Sequence, residues 1–266
     1  FAKFEFLIID DGSTDASVEI VRSFDDPRIK LILHDQNLGL VTALNTGILS
    51  ARGQYIARMD GDDISIPERF ALQLELMERL QLDICGSNWS RINEAGKTFS
   101  TIYAPDGMDE VAATLATTVP YAHGSVMLRK QFLDQHLLCY ESGNCEDYKM
   151  WIRSFELGAT FGRVNSVLYL HRSHEESITS KRFKEQARCA KKLRRKFVEN
   201  NLDYCEKSLS QLRARFMLLP IAMQSHCVYL AYSIGRVTGK FNYFFEILKL
   251  SSLKVKLRAI FRIINA

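Results

Sequence analysis

Tyr55-Ile-Ala-Arg-Met-Asp60-Gly-Asp62-Asp63 is a short apolar run that ends directly in three carboxylates. Aromatic and β-branched residues followed by a Gly–Asp turn predict a strand, Tyr55–Met59, that stops where the acids begin. Three acids within four residues repel one another, so a cation is needed to hold them together. Hard divalent cations such as Mg2+ and Mn2+ take oxygen ligands, typically one or two carboxylates plus substrate phosphates. A strand that carries such a cluster at its carboxyl end puts it where ligands bind in open α/β sheets. A plain surface turn uses the same residue types, so the surrounding chain has to decide.

Upstream, Phe4-Glu-Phe-Leu-Ile-Ile9 is rich in β-formers and short enough for a buried parallel strand. In Asp10-Asp-Gly-Ser-Thr-Asp15, Gly12 allows a tight turn. Ser13 or Thr14 can cap a helix that starts near Asp15 and stops before Pro27. Ile29–Leu33 predicts a second strand and Leu40–Ser50 a second helix, with Gly53 ending the loop before Tyr55. Strand–helix–strand–helix–strand at this spacing predicts an α/β fold with a doubly wound, mostly parallel sheet. Downstream, Pro67 opens a helix to Leu80. Strands follow around Ile84–Ile92 and Phe99–Tyr103, then a helix over Gly107–Thr117 and a strand over His123–Leu128. Cys145-Glu146-Asp147 opens a helix with its acids at the positive end of the macrodipole. Thr160–Val164 and Val167–His171 read as closing strands, and the chain is helical in pattern from Glu175 onward.

A length of 266 residues suits one large domain or a domain with an appendage. The net charge of +4 conceals a division: residues 1–180 carry 16 Lys and Arg against 26 Asp and Glu, net −10, whereas residues 181–266 carry 19 against 5, net +14. An acidic body with a basic region that meets an anionic partner is the expectation. The six cysteines form no C-x-x-C pair, which argues against a zinc ribbon or redox motif and for reduced thiols of a cytoplasmic protein. Asn88-Trp-Ser90 matches a glycosylation acceptor, relevant only in a secretory compartment. In the basic region, Phe216–Ile234 is apolar but interrupted by Pro220, Gln224, Ser225 and His226. A spanning helix needs about 20 predominantly apolar residues, so an amphipathic helix on an anionic leaflet fits better. Lys249, Lys254, Lys256, Arg258 and Arg262 interleave with Leu250, Leu253, Leu257, Ile260, Phe261 and Ile264 and repeat the pattern, beside the Lys191–Lys196 cluster. The alternative is an ordinary helical cap with solvated charges. No nucleic-acid recognition motif accompanies the charge.

The motifs fall in a specific order. Asp10-Asp-Gly-Ser-Thr-Asp is followed by Asn37-x-Gly39, Asn45-x-Gly47, Gly53-x-Tyr55 and Asp60-Gly-Asp-Asp. His123-Gly-Ser, Glu146-Asp147 with Trp151-x-Arg153, and Arg172-Ser-His174 complete it. This order closely resembles the inverting family 2 glycosyltransferases, which have a GT-A fold and use nucleotide-diphospho-sugar donors. The resemblance covers about residues 4–180. It implies a GT-A domain over residues 1–180 and a basic amphipathic helical region over 181–266. It also implies that Asp11 contacts the donor base or ribose, that Asp60 lies near the ribose, and that Asp62 ligates Mg2+ or Mn2+. Asp63 would orient this group or meet the sugar hydroxyls, and His174 would sit near the diphosphate or metal. Asp147 would be the general base for an acceptor hydroxyl, with Glu146 beside it, and His123 and Ser125 would lie where acceptor or donor sugar approaches. Trp151 is expected in the core; Arg153 would orient a carboxylate or be a solvated charge. The implied partners are a nucleotide-diphospho-sugar and a saccharide or lipid-linked acceptor at the cytoplasmic face of a membrane, in cell-surface polysaccharide or glycolipid synthesis. A sugar nucleotidyltransferase and a nucleotide-sugar binding module without activity are the rival readings.

Members of that family open with an apolar strand, a Pro-x-Tyr/Phe-Asn-type loop and a helix, all missing here. A sheet without that strand would leave backbone groups unpaired and an apolar face open on its neighbour. The expectation is that these 266 residues by themselves are poorly soluble or inactive. Soluble expression with full turnover would contradict it.

Overall fold

The computed structural model describes residues 2–174 and 182–264. β1 (Phe6–Asp10) and β2 (Ile29–Leu33) pair in parallel, with α1 (Ser17–Arg22) between them. α2 (Leu40–Ser50) then leads to β3 (Tyr55–Ala57). β3 does not join β1. It forms the edge of a second sheet with β4 (Ile64–Ser65), β5 (Ile84–Ile92), β6 (Thr98–Ile102), β7 (Met127–Arg129) and β8 (Phe161–Arg172). The order there is β3–β7–β5–β8–β4, with β6 also pairing β5.

The α/β class is as expected, but parallel pairing is confined to β1–β2 and β5–β8. The remaining pairs are antiparallel. The expected three-strand parallel unit is split because β1 and β3 each keep one edge without a strand partner among the described residues. The lobe built from β1, α1, β2 and α2 packs thinly. Ile48 is its first buried residue, while Phe6, Ile20 and Phe24 are exposed.

Two local expectations change. The strand predicted from His123 is a 3-10 turn over His123–Ser125, and β7 begins only at Met127. A Cβ on Gly124 would collide with the Tyr169 hydroxyl, so the turn is tucked beneath that ring and cannot run on as a strand. The two predicted closing strands are one, β8, whose register against β5 slips around Asn88. Asn88 itself is buried and accepts the Ala104 N–H at 3.0 Å, which puts the glycosylation signal out of reach.

The C-terminal half is helical: α4 (Gly107–Leu115), α5 (Lys130–Gln135) and α6 (Glu146–Glu156) precede β8, and α7 (Phe183–Asn200), α8 (Leu202–Ala214), α9 (Ile221–Thr238), α10 (Asn242–Leu250) and α11 (Leu253–Ile264) follow it. One hydrophobic cluster runs from Ile84, Leu128 and Trp151 through Phe197 and Leu209 to Leu230, Val255 and Ala259. The basic region is therefore a wall of the same core. Within it α9 is central rather than surface-lying, which corrects the expectation of a leaflet-bound helix over residues 216–234. The polar residues that interrupt its apolar run are buried and satisfied internally. Gln224 Nε2 donates to the Leu219 carbonyl at 2.9 Å and Ser225 Oγ to that of Ala222 at 2.7 Å. His226 Nδ1 accepts from Arg262 at 2.9 Å and meets the Thr117 hydroxyl. No helix among the described residues is long and apolar enough to cross a membrane.

The two halves of the larger sheet are held by α3 (Arg69–Leu80), whose buried row is Arg69, Gln73 and Met77, one residue per turn. Arg69 is fully buried; its guanidinium donates to Gly124 O at 2.8 Å and Arg58 O at 2.7 Å, 5.3 Å from the Tyr169 ring centre. Gln73 Nε2 donates to Cys85 O at 2.9 Å and Ser125 O at 2.8 Å. Four carbonyls from three separate chain segments are thus satisfied by one helix face. Burial lowers the Arg69 pKa to about 10, which still leaves it charged at neutral pH. Replacing Arg69 by Met keeps the apolar stem but orphans the Gly124 and Arg58 carbonyls. The expected cost is on the order of 3–5 kcal/mol in denaturant unfolding. Arg69→Lys should recover less than about half of that, since an ammonium lacks the fork. A Met variant as stable as the parent would refute the clamp.

Candidate active site

The acid cluster occupies the turn between β3 and β4. Asp60 forms an ion pair with Arg58, and its backbone N–H donates to the Tyr169 hydroxyl at 3.2 Å. Asp63 is buried: its Oδ2 accepts from that same hydroxyl at 2.6 Å and its Oδ1 from the Arg172 N–H at 2.6 Å. Burial raises the Asp63 pKa against those two hydrogen bonds. With both oxygens engaged inside the protein, Asp63 is the pin of the turn rather than a group offered to a sugar. The Arg172 side chain donates through Nε to Asp62 O at 2.8 Å and through Nη1 to Glu94 O at 2.8 Å, latching the turn to the β5–β6 hairpin.

Asp62 is different. Its carboxylate is 47% exposed, and Oδ2 lies 2.9 Å from His174 Nε2. No three His, Cys, Asp or Glu side chains converge as a metal cage among the described residues. An exposed carboxylate oxygen beside an imidazole nitrogen fits a divalent cation that takes its other ligands from phosphate oxygens and water.

Asp11 sits at the end of β1. Its Oδ1 accepts from His34 Nδ1 at 2.7 Å and Leu38 N–H at 3.0 Å, and its Oδ2 from Gly39 N–H at 2.8 Å. Burial favours the neutral acid, but the bonds from His34, Leu38 and Gly39 outweigh it and hold the pKa below the ordinary value. Asp11 thereby braces the loop that leads into α2, while the Asx turn falls to Asp10, which accepts the Ser13 N–H at 3.0 Å. Gly12 is required on two counts. Its φ is +76°, and a Cβ would lie 2.6 Å from the Gln36 carbonyl carbon.

α2 carries this brace to the far side of the site. Asn45 accepts the Tyr140 N–H at 2.8 Å and donates to the Tyr140 carbonyl at 2.9 Å. The Tyr140 hydroxyl meets His123 Nε2 at 2.7 Å, and the His123 ring packs edge-on against buried Trp151, 6.1 Å between centres. Burial, reinforced by Arg58, pushes the His123 pKa well below its usual value, so the ring is neutral. Ser125, expected where acceptor or donor sugar approaches, is fully buried and donates its hydroxyl to the Ala122 carbonyl at 2.8 Å. It holds the turn instead. Arg153 is exposed.

Cys145, with a left-handed φ of +61°, swings the chain into α6 and sets Glu146 and Asp147 in its first turn. Asp147 Oδ1 accepts the Tyr148 N–H at 2.7 Å. Burial and the charge of Glu146 push the Asp147 pKa up to about 6, against the pull of the Tyr148 N–H and Arg58. Arg58 is the residue that sequence reading passed over. Its side chain is 10% exposed and ion-paired to Asp60, and its charge lowers the pKa of both Asp147 and His123. A charge inside an apolar strand demands a partner, and that was its signal. Tyr140 and Tyr169 gave none.

The glycosyl transferase family 2 model matches residues 1–138. The putative glycosyltransferase EpsE of Bacillus subtilis is 28% identical over 192 residues, covering 69% of this chain and 67% of that protein. An uncharacterized glycosyltransferase of Rickettsia felis is 33% identical over 150 residues, 56% of this chain but 25% of its own length. The chain therefore spans two thirds of one such relative and a quarter of another. The crystal structure of S. aureus TarS 1-349 in complex with UDP-GlcNAc superposes with a TM-score of 0.60 at 14% identity, covering 98% of this chain and 80% of that one. That likeness extends through the C-terminal helices and speaks for the fold, a GT-A-type α/β body. The family match spans the acid cluster, the His123 turn and the helix α3 that clamps them, and the chain belongs to glycosyl transferase family 2.

Proposed function

We propose that the chain is an inverting glycosyltransferase that moves a sugar from a nucleotide-diphospho-sugar to an acceptor hydroxyl, in the synthesis of a cell-surface polysaccharide or glycolipid. The observation that carries this reading is the family 2 match over residues 1–138, which spans the acid cluster whose Asp62 keeps an exposed carboxylate. The acceptor is a saccharide or lipid-linked hydroxyl, met at the cytoplasmic face of a membrane. S. aureus TarS was solved with UDP-GlcNAc and with UDP, which makes a uridine diphosphate sugar the first donor to test.

Asp147 takes the proton of the acceptor hydroxyl as that oxygen attacks the anomeric carbon from the face opposite the diphosphate. The bond to the diphosphate oxygen breaks as the new glycosidic bond forms, and one displacement inverts the anomeric centre. With a pKa of about 6, Asp147 is ionised at neutral pH yet basic enough to share the proton in the transition state. Asp62 and His174 would hold Mg2+ or Mn2+, which supplies charge neutralisation for the departing diphosphate. Asp63 and Arg172 keep Asp62 in place, and neutral His123 with Tyr140 shapes the acceptor side without adding charge there.

Release of nucleoside diphosphate from a panel of nucleotide sugars, with and without Mn2+, tests this. Asp147→Asn should lower kcat about 10²–10⁴-fold, and Asp62→Ala should abolish metal-dependent release. Donor binding without release under any acceptor would favour a binding module instead. The parent's kcat/KM should climb with pH through about 6 and level above it, because only ionised Asp147 accepts the proton. The folded pKa of Asp147 lies above its ordinary 3.8, so its contribution to stability falls as pH rises from about 4 to about 6. Asp147→Asn should therefore be more stable than the parent at pH 8, by on the order of 1–3 kcal/mol, despite its lowered kcat. Equal thermal melting of the two at pH 8 would remove the raised pKa from the mechanism.

A further inference from the structure

α11 has two apolar faces. One, Val255 and Ala259, is fully buried and belongs to the common core. Arg262 on the same side reaches in to His226 at 2.9 Å and fixes the helix against α9. The opposite face carries Leu253, Leu257, Ile260 and Ile264, exposed by 73%, 59%, 47% and 76%. At 100° per residue these four fall within an arc of about 60°. Lys254 and Arg258 border that arc on one side and Lys256 on the other. Between residues 247 and 264 there are five basic residues and no acidic one.

A helix already seated by one apolar face has no packing need for a second. Four large aliphatic side chains in a row on the outside carry a hydration cost that some occupant must relieve. The charges decide which. A second copy of the chain across a two-fold axis would set cation against cation, since the borders contain no carboxylate to complement them. A lipid surface suits both features. The aliphatic stripe enters the acyl boundary, and the flanking Lys and Arg rise to the phosphate level on their own methylene stems.

We propose that α11 is an in-plane anchor, its Leu253–Leu257–Ile260–Ile264 stripe seated in the surface of an anionic bilayer with Lys254, Lys256 and Arg258 against the lipid phosphates. This surface is distinct from the carboxylate site and stands whether or not the transfer chemistry does. It would hold the catalytic body on the membrane, within reach of an acceptor carried by a lipid.

The test is co-sedimentation with phosphatidylcholine vesicles with and without phosphatidylglycerol, using the same polypeptide as the release assay. The parent should sediment with the anionic vesicles, and added salt should weaken binding. Leu257→Ser with Ile260→Ser should weaken it about tenfold or more. Lys254→Gln and Arg258→Gln should cost about fivefold each at low salt. Both positions are on the surface, so the unfolding midpoint and turnover on a soluble acceptor should match the parent in each variant. No sedimentation of an active parent would overturn the proposal, as would a Leu257/Ile260 variant that binds like the parent. A concentration-dependent dimer lost in that variant, without vesicle binding, would assign the face to a second copy and overturn it too. Vesicle binding by a protein that never releases nucleoside diphosphate would count against the transfer reading alone.

Discussion

A single buried guanidinium holds the site in register. Arg69 donates to the backbone where β3 runs into the acid cluster and where the His123 turn begins. Gln73, one turn further along the same helix, does the same for β5 and the end of that turn. An unpaired carbonyl in this interior would cost about as much as a hydrogen bond returns. Two side chains on α3 therefore decide how three segments, distant in sequence, meet. Tyr169 completes the arrangement: its ring lies beside Arg69, and its hydroxyl is shared by Asp60 and Asp63. Gly124 has to be glycine because that hydroxyl occupies the space where its Cβ would be.

Within this frame the carboxylates part in role although they are adjacent in sequence. Asp63 is buried and fully engaged, Asp60 is neutralised by Arg58, and Asp62 is left with an exposed oxygen beside His174. Asp147 and Glu146 repel each other in the first turn of α6, and burial adds to the effect. A carboxylate with its pKa raised to about 6 and an exposed carboxylate beside an imidazole thus arise from the same residue type, set apart by what surrounds each. Environment, not identity, assigns the chemistry.

The helices after β8 show how far composition can mislead. Their charge suggests a detachable basic region, yet their apolar residues continue the core of the catalytic body. The apolar run through α9 is buried because Gln224, Ser225 and His226 each find a partner inside the helical wall. The outward apolar face belongs instead to α11, where four aliphatic residues and their basic borders share one side.

Much was legible in the sequence. The bounds of β2, α2 and β5 follow from hydrophobic period and turn residues, and the order of the acid, His-Gly-Ser and Glu-Asp motifs marks the family. These are local signals: a strand shows its period within five residues, and each motif shows its residues within a few positions. What the sequence could not show is which groups share a partner. The pairing of β3 with β7 rather than β1, the burial of Ser125 and Asp63, and the raised pKa of Asp147 became visible only in the fold. Each depends on what packs around the group, and the pinning of Asp63 rests on hydrogen bonds from the Tyr169 hydroxyl, 106 positions away, and the Arg172 N–H, 109 away. A linear pattern records which side chains exist, but the cost of burying them is set by neighbours that only the tertiary structure supplies.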